Sequence, residues 1–446
     1  MAGTQTIRPR DRDAVVQALR AGVVPRVGLP HVQVGRAREV QQVARDVERI
    51  REGGSAVRFV IGDYGSGKTF FLYLARSIAL EQKLVTAHVD LSPSRRLHAT
   101  GGQARGLYAA LMASLATRAK PEGGALASIV ERFVDDARGE AGEKRQPVGR
   151  VIRERLGGIQ ALASGPDFAT VLERYCTAFE QGDDDLKAAA LRWLRGEYTT
   201  KSEAREALGV RMVVDDATIY DHLRLMARFV RLAGYDGLLV VLDEMVNLHR
   251  LVNAQARNAN YELILRIVND VLQGNAGHFG IFFGGTPEFL ADGRRGLYSY
   301  EALRSRLAEN SFARGGLIDL QGPVLRLQSL TPEEFHVLLE KLRHVFAGGD
   351  STRYLIPDEA LVAFARHCEG RIGAAYFRTP RETIRSFLGL LAVLEQNPGT
   401  SWQDLIGRVE VEADRPSPLS DITDDEPATA AGAPRRPTDD LADFRL

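Results

Sequence analysis

One lysine-bearing run has the residue types and spacing of a phosphate cradle. Gly62, Asp63, Tyr64, Gly65, Ser66, Gly67, Lys68 and Thr69 read G-x-x-x-x-G-K-T. Glycines let a backbone curl until its N–H groups face phosphate oxygens, and a following helix adds the positive end of its dipole. In that arrangement Lys68 reaches the β- and γ-phosphates of a nucleotide and the Thr69 hydroxyl ligates magnesium. Only seven of the 58 basic residues are lysines, so the one at this position is conspicuous. The expected ligands are ATP and Mg2+, with Phe70 completing the ATP-binding run.

A second group lies far along the chain. Asp243 and Glu244 end the apolar run LLVVL. An Asp at a strand end holds magnesium in phosphoryl transfer. A neighbouring glutamate can draw a proton from attacking water as general base. The pair therefore points to hydrolysis rather than to a kinase, which must exclude water. Thr286, in FGGTPE, is placed either to sense the terminal phosphate and the lytic water or merely to cap the next helix. Arg304 and Arg306 are candidates for a guanidinium supplied to a neighbouring subunit, or are solvated arginines on a helix face. Arg381 opens a helix, where a cation is unfavourable against the dipole, and a phosphate partner would explain it. Gly35 and Arg36 form a Gly-Arg turn about twenty residues before the first strand.

The elements that must hold these groups are legible as runs. Residues 57–61, 84–89, 238–242 and 279–283, with a weaker run at 324–327, are continuous and rich in β-branched and aromatic residues. Such runs read as strands buried on both faces, and helical patterns between them predict a mainly parallel, doubly wound sheet. The fold class is therefore α/β, with five strands. About 150 residues separate the second run from the third, where a crossover needs roughly a dozen. Helical spacing at 107–115, 125–136, 168–180 and 220–233 predicts an inserted helical region, with charged or acidic connectors at 138–149 and 182–185. After the fifth run come three helices forming a lid. The first opens on a Thr331–Glu334 capping box, the second ends at Gly370, and the third opens on a similar box at Thr379–Glu382. The expected divisions are 1–56, 57–94, 95–236, 237–328, 329–396 and 397–446, the last a linker with a disordered acidic tail.

Charge and composition narrow the class. There are 58 Lys+Arg and 58 Asp+Glu, with 44% hydrophobic residues, as expected of a globular chain. Residues 421–446 carry seven acidic and three basic residues, a net of −4, which leaves +4 on the rest. Any nucleic-acid surface must therefore be local. Arg95, Arg96 and Arg105, near Gly101 and Gly102, form one candidate loop for it, or a solvated loop. Two distant cysteines, Cys176 and Cys368, offer neither a disulfide framework nor metal-ligand spacing. No signal peptide or membrane-spanning run is visible, so a cytoplasmic protein is expected.

In combination and order these segments resemble the AAA+ ATPases. The segment from Gly35 and Arg36 to Glu39 looks like the adenine-side box of the replication-initiator and STAND-like branches. A closer resemblance is to the ATP-binding proteins of BREX-type phage-defence systems, especially the BrxD group. It is carried by VRFVIGDYGSGKTFFL (57–72), VDLSPSRRLHATGGQARGLYAALM (89–112), LVVLDEMVNL (239–248), FGGTPEFL (283–290) and FRTPRETIRSFL (377–388). The resemblance implies an ATPase encoded with phage-defence genes, often beside a superfamily-2 helicase. It also implies a homo-oligomer that acts on double-stranded DNA or loads that helicase. Initiator ATPases carry a winged-helix domain after the lid. The residues after about 395 are too few for one, so DNA contact by that route is not expected. A STAND-like switch, in which nucleotide state sets assembly, is the alternative. A scaffold with structural nucleotide is a third reading, disfavoured by Glu244, Arg304 and Arg306.

Overall fold

The five apolar runs become five parallel strands in one sheet. They are β1 (Ser55–Ile61), β2 (Val85–Asp90), β3 (Leu238–Asp243), β4 (Phe279–Gly285) and β5 (Val324–Arg326), in the order β2-β3-β4-β1-β5. The computed structural model describes residues 7–160, 162–313 and 318–412. β1, β3 and β4 are buried along their whole length. That explains their continuous rather than alternating hydrophobicity. Phe59, Val240 and Ile281 turn to one face; Val60, Val241 and Phe282 turn to the other. The second face is covered by the helices Ala37–Arg51 and Lys68–Glu81, through Val43, Val47, Leu72 and Ala75. The first is covered by the helix Ala254–Leu272 and the inserted helices. Each such aliphatic side chain contributes about 1.5–3 kcal/mol on full burial.

The inserted region shares its core with the sheet. Phe133, Phe168, Trp193 and Phe229 belong to the same apolar cluster as Phe59 and Phe283. The charged connector expected at 138–149 is mostly helix: Leu126–Lys144 ends only four residues before Val148–Gln160 begins. Buried Ala137 and Ala141 continue the helical spacing through the glycines, and Glu140 accepts hydrogen bonds from Lys144 (2.6 Å) and Arg155 (2.7 Å). Tertiary burial overrode the punctuation that Gly139 and Gly142 supply. The acidic stretch at 182–185 does mark a break, with Asp183 capping the next helix through the Leu186 N–H at 2.9 Å.

A third cluster joins the two ends of the chain. Val15, from the helix Pro9–Arg20, packs with Phe335, Phe364 and Phe387 from the helices Pro332–Phe346, Asp358–Ile372 and Arg381–Gln396. The Thr331–Glu334 capping box is present, with both reciprocal bonds formed. Two helix ends differ from expectation. The second helix runs through Gly370 to Ile372 and ends at Gly373 (φ +55), because one mid-helix glycine costs only about 1 kcal/mol. Thr379 does not cap the third helix. Its hydroxyl donates to the Ala375 carbonyl at 3.0 Å, closing the short helix Ala375–Arg378, and Pro380 takes the N-cap position. The expected linker from 397 contains a further helix, Trp402–Ile406, whose Ile406 joins this cluster with Val411. The acidic tail lies outside the described residues from 413 onward. Among the described residues no helix is long and apolar enough to cross a membrane.

Candidate nucleotide site

The turn after β1 is shaped by glycine at a close approach. Gly65 (φ +76) and Gly67 (φ +80) take left-handed backbone that other residues adopt only with strain. A Cβ on Gly65 would lie 2.8 Å from Thr379 Cγ2 and 2.9 Å from Thr379 Cα, so only glycine lets the C-terminal helices rest on this loop. Lys68 opens the following helix, and its Nζ donates to the carbonyls of Gly62 (2.8 Å) and Asp63 (2.9 Å). Burial lowers the Lys68 pKa, while Asp243, Glu244 and Asp63 act to raise it. First-turn N–H groups of a helix have no partner within it, so Gly67, Lys68 and Thr69 present donors to the cavity they line.

β3 brings its carboxylates to the same place. Thr69 Oγ1 donates to Asp243 Oδ2 at 2.7 Å, although 174 residues separate them. The Glu244 N–H donates to the other carboxylate oxygen at 2.8 Å. Asp243 is 2% exposed, and it fits because its β4 neighbour is Gly284, where a Cβ would stand 2.2 Å from Asp243 Oδ1. Glu244 itself is left-handed (φ +56), a conformation that throws its side chain out of the strand line into the open cleft. Desolvation by the cleft walls, then the charges of Asp243 and Asp90, raise the Glu244 pKa, which strengthens it as a proton acceptor. Asp90 is the registered partner of Asp243 on β2, and its own pKa is raised by desolvation and by Asp243. Sequence reading passed over Asp90. Its signal was a second apolar run ending in Asp, as β3 does.

A cavity of about 670 Å³ runs past these groups, within the range of ligand pockets. Its lining includes Val34, Leu338 and Ile384, which share one apolar cluster, as a nucleobase requires, together with Lys68, Asp243 and Glu244. Tyr64, Ser66 and Phe70 also line it. Arg36 (φ +58) lines the wall and braces the loop, donating to the carbonyls of Ser66, Gly67 (3.4 Å) and Gln328 (3.2 Å). Gly35 (φ +62) is packed against Glu334, whose Oε1 a Cβ would meet at 2.4 Å. Arg381 reaches in from the C-terminal helices, bonded to the Tyr64 hydroxyl at 3.3 Å with its guanidinium 5.8 Å from the ring centroid.

A family model described as BREX system ATP-binding protein BrxC/D matches residues 7–410. The chain belongs to this family. No curated protein matches it.

Three expected residues of this BREX-family chain lie elsewhere. Thr286 caps the helix Pro287–Ala291 through the Phe289 N–H at 3.5 Å and is not part of the cavity wall. Arg304 and Arg306 sit on the exposed helix Glu301–Arg306, Arg304 beside Glu301 (3.8 Å) and Arg306 bonded to Asn269 and to the Ala302 carbonyl (2.9 Å). The loop that carries Arg95, Arg96 and Arg105 is largely tied internally. Arg96 is buried and donates to the Pro93 carbonyl at 2.9 Å, and Arg105 donates to the Tyr198 carbonyl at 3.2 Å. The Asp216 carboxylate already occupies the helix start beside them, bonded to the N–H groups of Gly102 (2.7 Å) and Arg105 (2.8 Å). Arg95 alone of the three is exposed.

Proposed function

We propose that this ATP-binding protein of a BREX system is a Mg2+-dependent AAA+ ATPase. In this reading the sheet is doubly wound and residues 329–396 are its lid. The observation that carries the proposal is the 2.7 Å contact between Thr69 Oγ1 and Asp243 Oδ2, with Glu244 one residue on. Hydroxyl and carboxylate oxygens are hard donors, and adjacent ligands of Mg2+ stand roughly 3 Å apart, so this pair fits the ion. Thr69 and Asp243 would hold it. When bound, Mg2+ neutralises the charge that builds on the phosphate oxygens.

The chain's own groups then divide the work. Lys68 leaves the Gly62 and Asp63 carbonyls for the β- and γ-phosphate oxygens, and the loop N–H groups hold the same chain of phosphates. Glu244 takes the proton as a water oxygen bonds to the γ-phosphorus; the bond to the β,γ-bridging oxygen breaks, releasing ADP and inorganic phosphate. Arg381 is placed to move from Tyr64 to a phosphate, so that the lid closes on ATP. Arg304 or Arg306, exposed on one helix, supplies a guanidinium to the site of the next subunit in a homo-oligomer. The assembly acts on double-stranded DNA or loads a partner superfamily-2 helicase.

Glu244→Gln tests the chemistry. It should bind ATP within about threefold of wild type and hydrolyse it about 100-fold or more slowly, the usual worth of a general base. Turnover at the wild-type rate would remove Glu244 from the mechanism. ATPase rate and particle mass, measured with and without duplex DNA at fixed salt, test the assembly. Stimulation together with a multi-subunit mass is expected.

A further inference from the structure

A cluster of metal-ligating groups lies at the carboxyl ends of β2 and β3, beside the residues that would hold Mg2+. His88 and Asp90 are two apart on β2, so their side chains share one face of the sheet. Asp243 stands in register with Asp90 on β3. One ligand atom from each of the three lies within 4.8 Å of the others, and His88 Nε2 is 4.0 Å from Asp90 Oδ1. Thr69 and Tyr73, one turn apart on the helix Lys68–Glu81, pack on the cluster. Thr69 Oγ1 bonds Asp243 at 2.7 Å, and the Tyr73 ring lies against the imidazole with centroids 4.4 Å apart.

His88 sets this cluster apart from two carboxylates at a sheet end. Its side chain is 6% exposed, and among the described residues neither buried ring nitrogen has a hydrogen-bond partner. The Asp90 carboxylate, at 4.0 Å, is too far to be one. A buried polar nitrogen left unmet is unfavourable and calls for a ligand such as an ion. Burial holds the imidazole uncharged, and the neutral ring is the form that binds metals. Two ligands of one ion stand at most about 4.3 Å apart, twice a bond of roughly 2.0–2.2 Å, so the cluster needs only a small closure. Asp90 can supply it, its side chain being 65% exposed. The charges of Arg76 and Arg26 are felt at His88, but Arg76 is bonded to the Pro121 carbonyl, and two carboxylates in direct contact with an ion act at shorter range. One imidazole with two carboxylates is a mixed set. Mg2+ selects oxygen alone, whereas first-row transition ions accept both donors.

We propose that His88, Asp90 and Asp243 bind one first-row transition-metal dication, separate from the Mg2+ that accompanies ATP and sharing Asp243 with it. Ions in two-metal sites stand roughly 3.5–4 Å apart, a span that one carboxylate can bridge. The ion ties β2 to β3 at the strand ends and orients Asp243. Its binding does not need ATP; only its link to Mg2+ rests on the nucleotide site described above.

Mn2+ is the probe, added to the full-length protein without nucleotide and in excess Mg2+, and followed by electron paramagnetic resonance. Wild type should bind Mn2+ with the hyperfine signature of a coordinated imidazole nitrogen, which a site of oxygens alone cannot give. His88→Ala should erase that signature. Asp90→Asn, at an exposed position where folding is not at risk, should weaken Mn2+ by at least about tenfold, the least that loss of even an outer partner costs. Thr69→Ala, which alters only the Mg2+ position, should keep the nitrogen signature. Absence of the signature in wild type, or its survival in His88→Ala, overturns the proposal. Its loss in Thr69→Ala does so too, since the ion would then occupy the Mg2+ position. Calorimetric titration of the same wild-type protein with ATP keeps the two readings apart. ATP binding without the nitrogen signature sinks this site alone; the signature without ATP binding sinks the nucleotide reading and leaves this site standing.

Discussion

At the scale of single residues, the candidate site is built from side chains that hold each other in place. Lys68 is satisfied by two carbonyls of its own loop, and Thr69 by the Asp243 carboxylate. In the proposed function a polyphosphate offers Lys68 anionic oxygens in place of neutral carbonyls, and Mg2+ would take the Thr69 hydroxyl and the Asp243 carboxylate as ligands. Lys68→Ala removes the ammonium but not the loop. It should lower ATP affinity beyond detection in a binding titration while leaving thermal unfolding within a few degrees of wild type. Unchanged affinity would displace the site from this loop. Residue types and spacing singled out the glycine-rich loop, Asp243 and Glu244, and the fold brings them to one cavity. Asp90 was passed over although an apolar run ends on it, because its place beside Asp243 comes only from the register of two strands far apart in the chain.

At the scale of elements, glycines and one buried ion pair fix how the site's walls meet. Arg58, in the middle of β1, donates to Asp46 Oδ2 at 2.6 Å and Oδ1 at 2.7 Å; the two side chains are 3% and 0% exposed. The pair ties β1, which leads into the phosphate loop, to the helix Ala37–Arg51, which begins beside Arg36. Gln42 completes the network through Asp46 at 3.2 Å. Removing one partner of a buried pair strands the other charge and costs about 3–5 kcal/mol. Asp46→Ala should therefore lose about that much in chemical denaturation, and Asp46→Asn should lose less because it keeps an acceptor. A loss under 1 kcal/mol would mean that water reaches Arg58. Strand runs were legible because burial on both faces leaves a continuous hydrophobic signature. Two helix ends were not, since Gly370 and Thr379 carry the right residue types for caps yet are overruled by packing around them, whereas the Thr331–Glu334 box forms as read.

At the scale of the whole molecule, the two ends of the chain close over one face of the site. The helix Pro9–Arg20 packs with the C-terminal helices, and both groups line the cavity through Leu19, Val23, Leu338 and Ile384. In the proposed function, nucleotide in the cavity would bear on how these helices sit together. Assembly is the next level. If an arginine of one subunit serves the site of another, one of Arg304→Ala and Arg306→Ala should lose activity alone. Mixing that variant with Glu244→Gln protein, which keeps its arginines but not its base, should restore part of the ATPase rate. No recovery in any ratio would confine catalysis to single subunits. The sequence by itself determined the residue types of the glycine-rich loop, the acidic strand end and the five buried runs. Each of these is local, set by glycine spacing, by polarity or by unbroken burial. Only the tertiary structure decided that Asp243 meets Thr69, that Gly284 makes room for that carboxylate, and that Asp90 stands in register beside it. Those facts depend on strand order and on contacts between residues far apart in the chain, which no local pattern encodes.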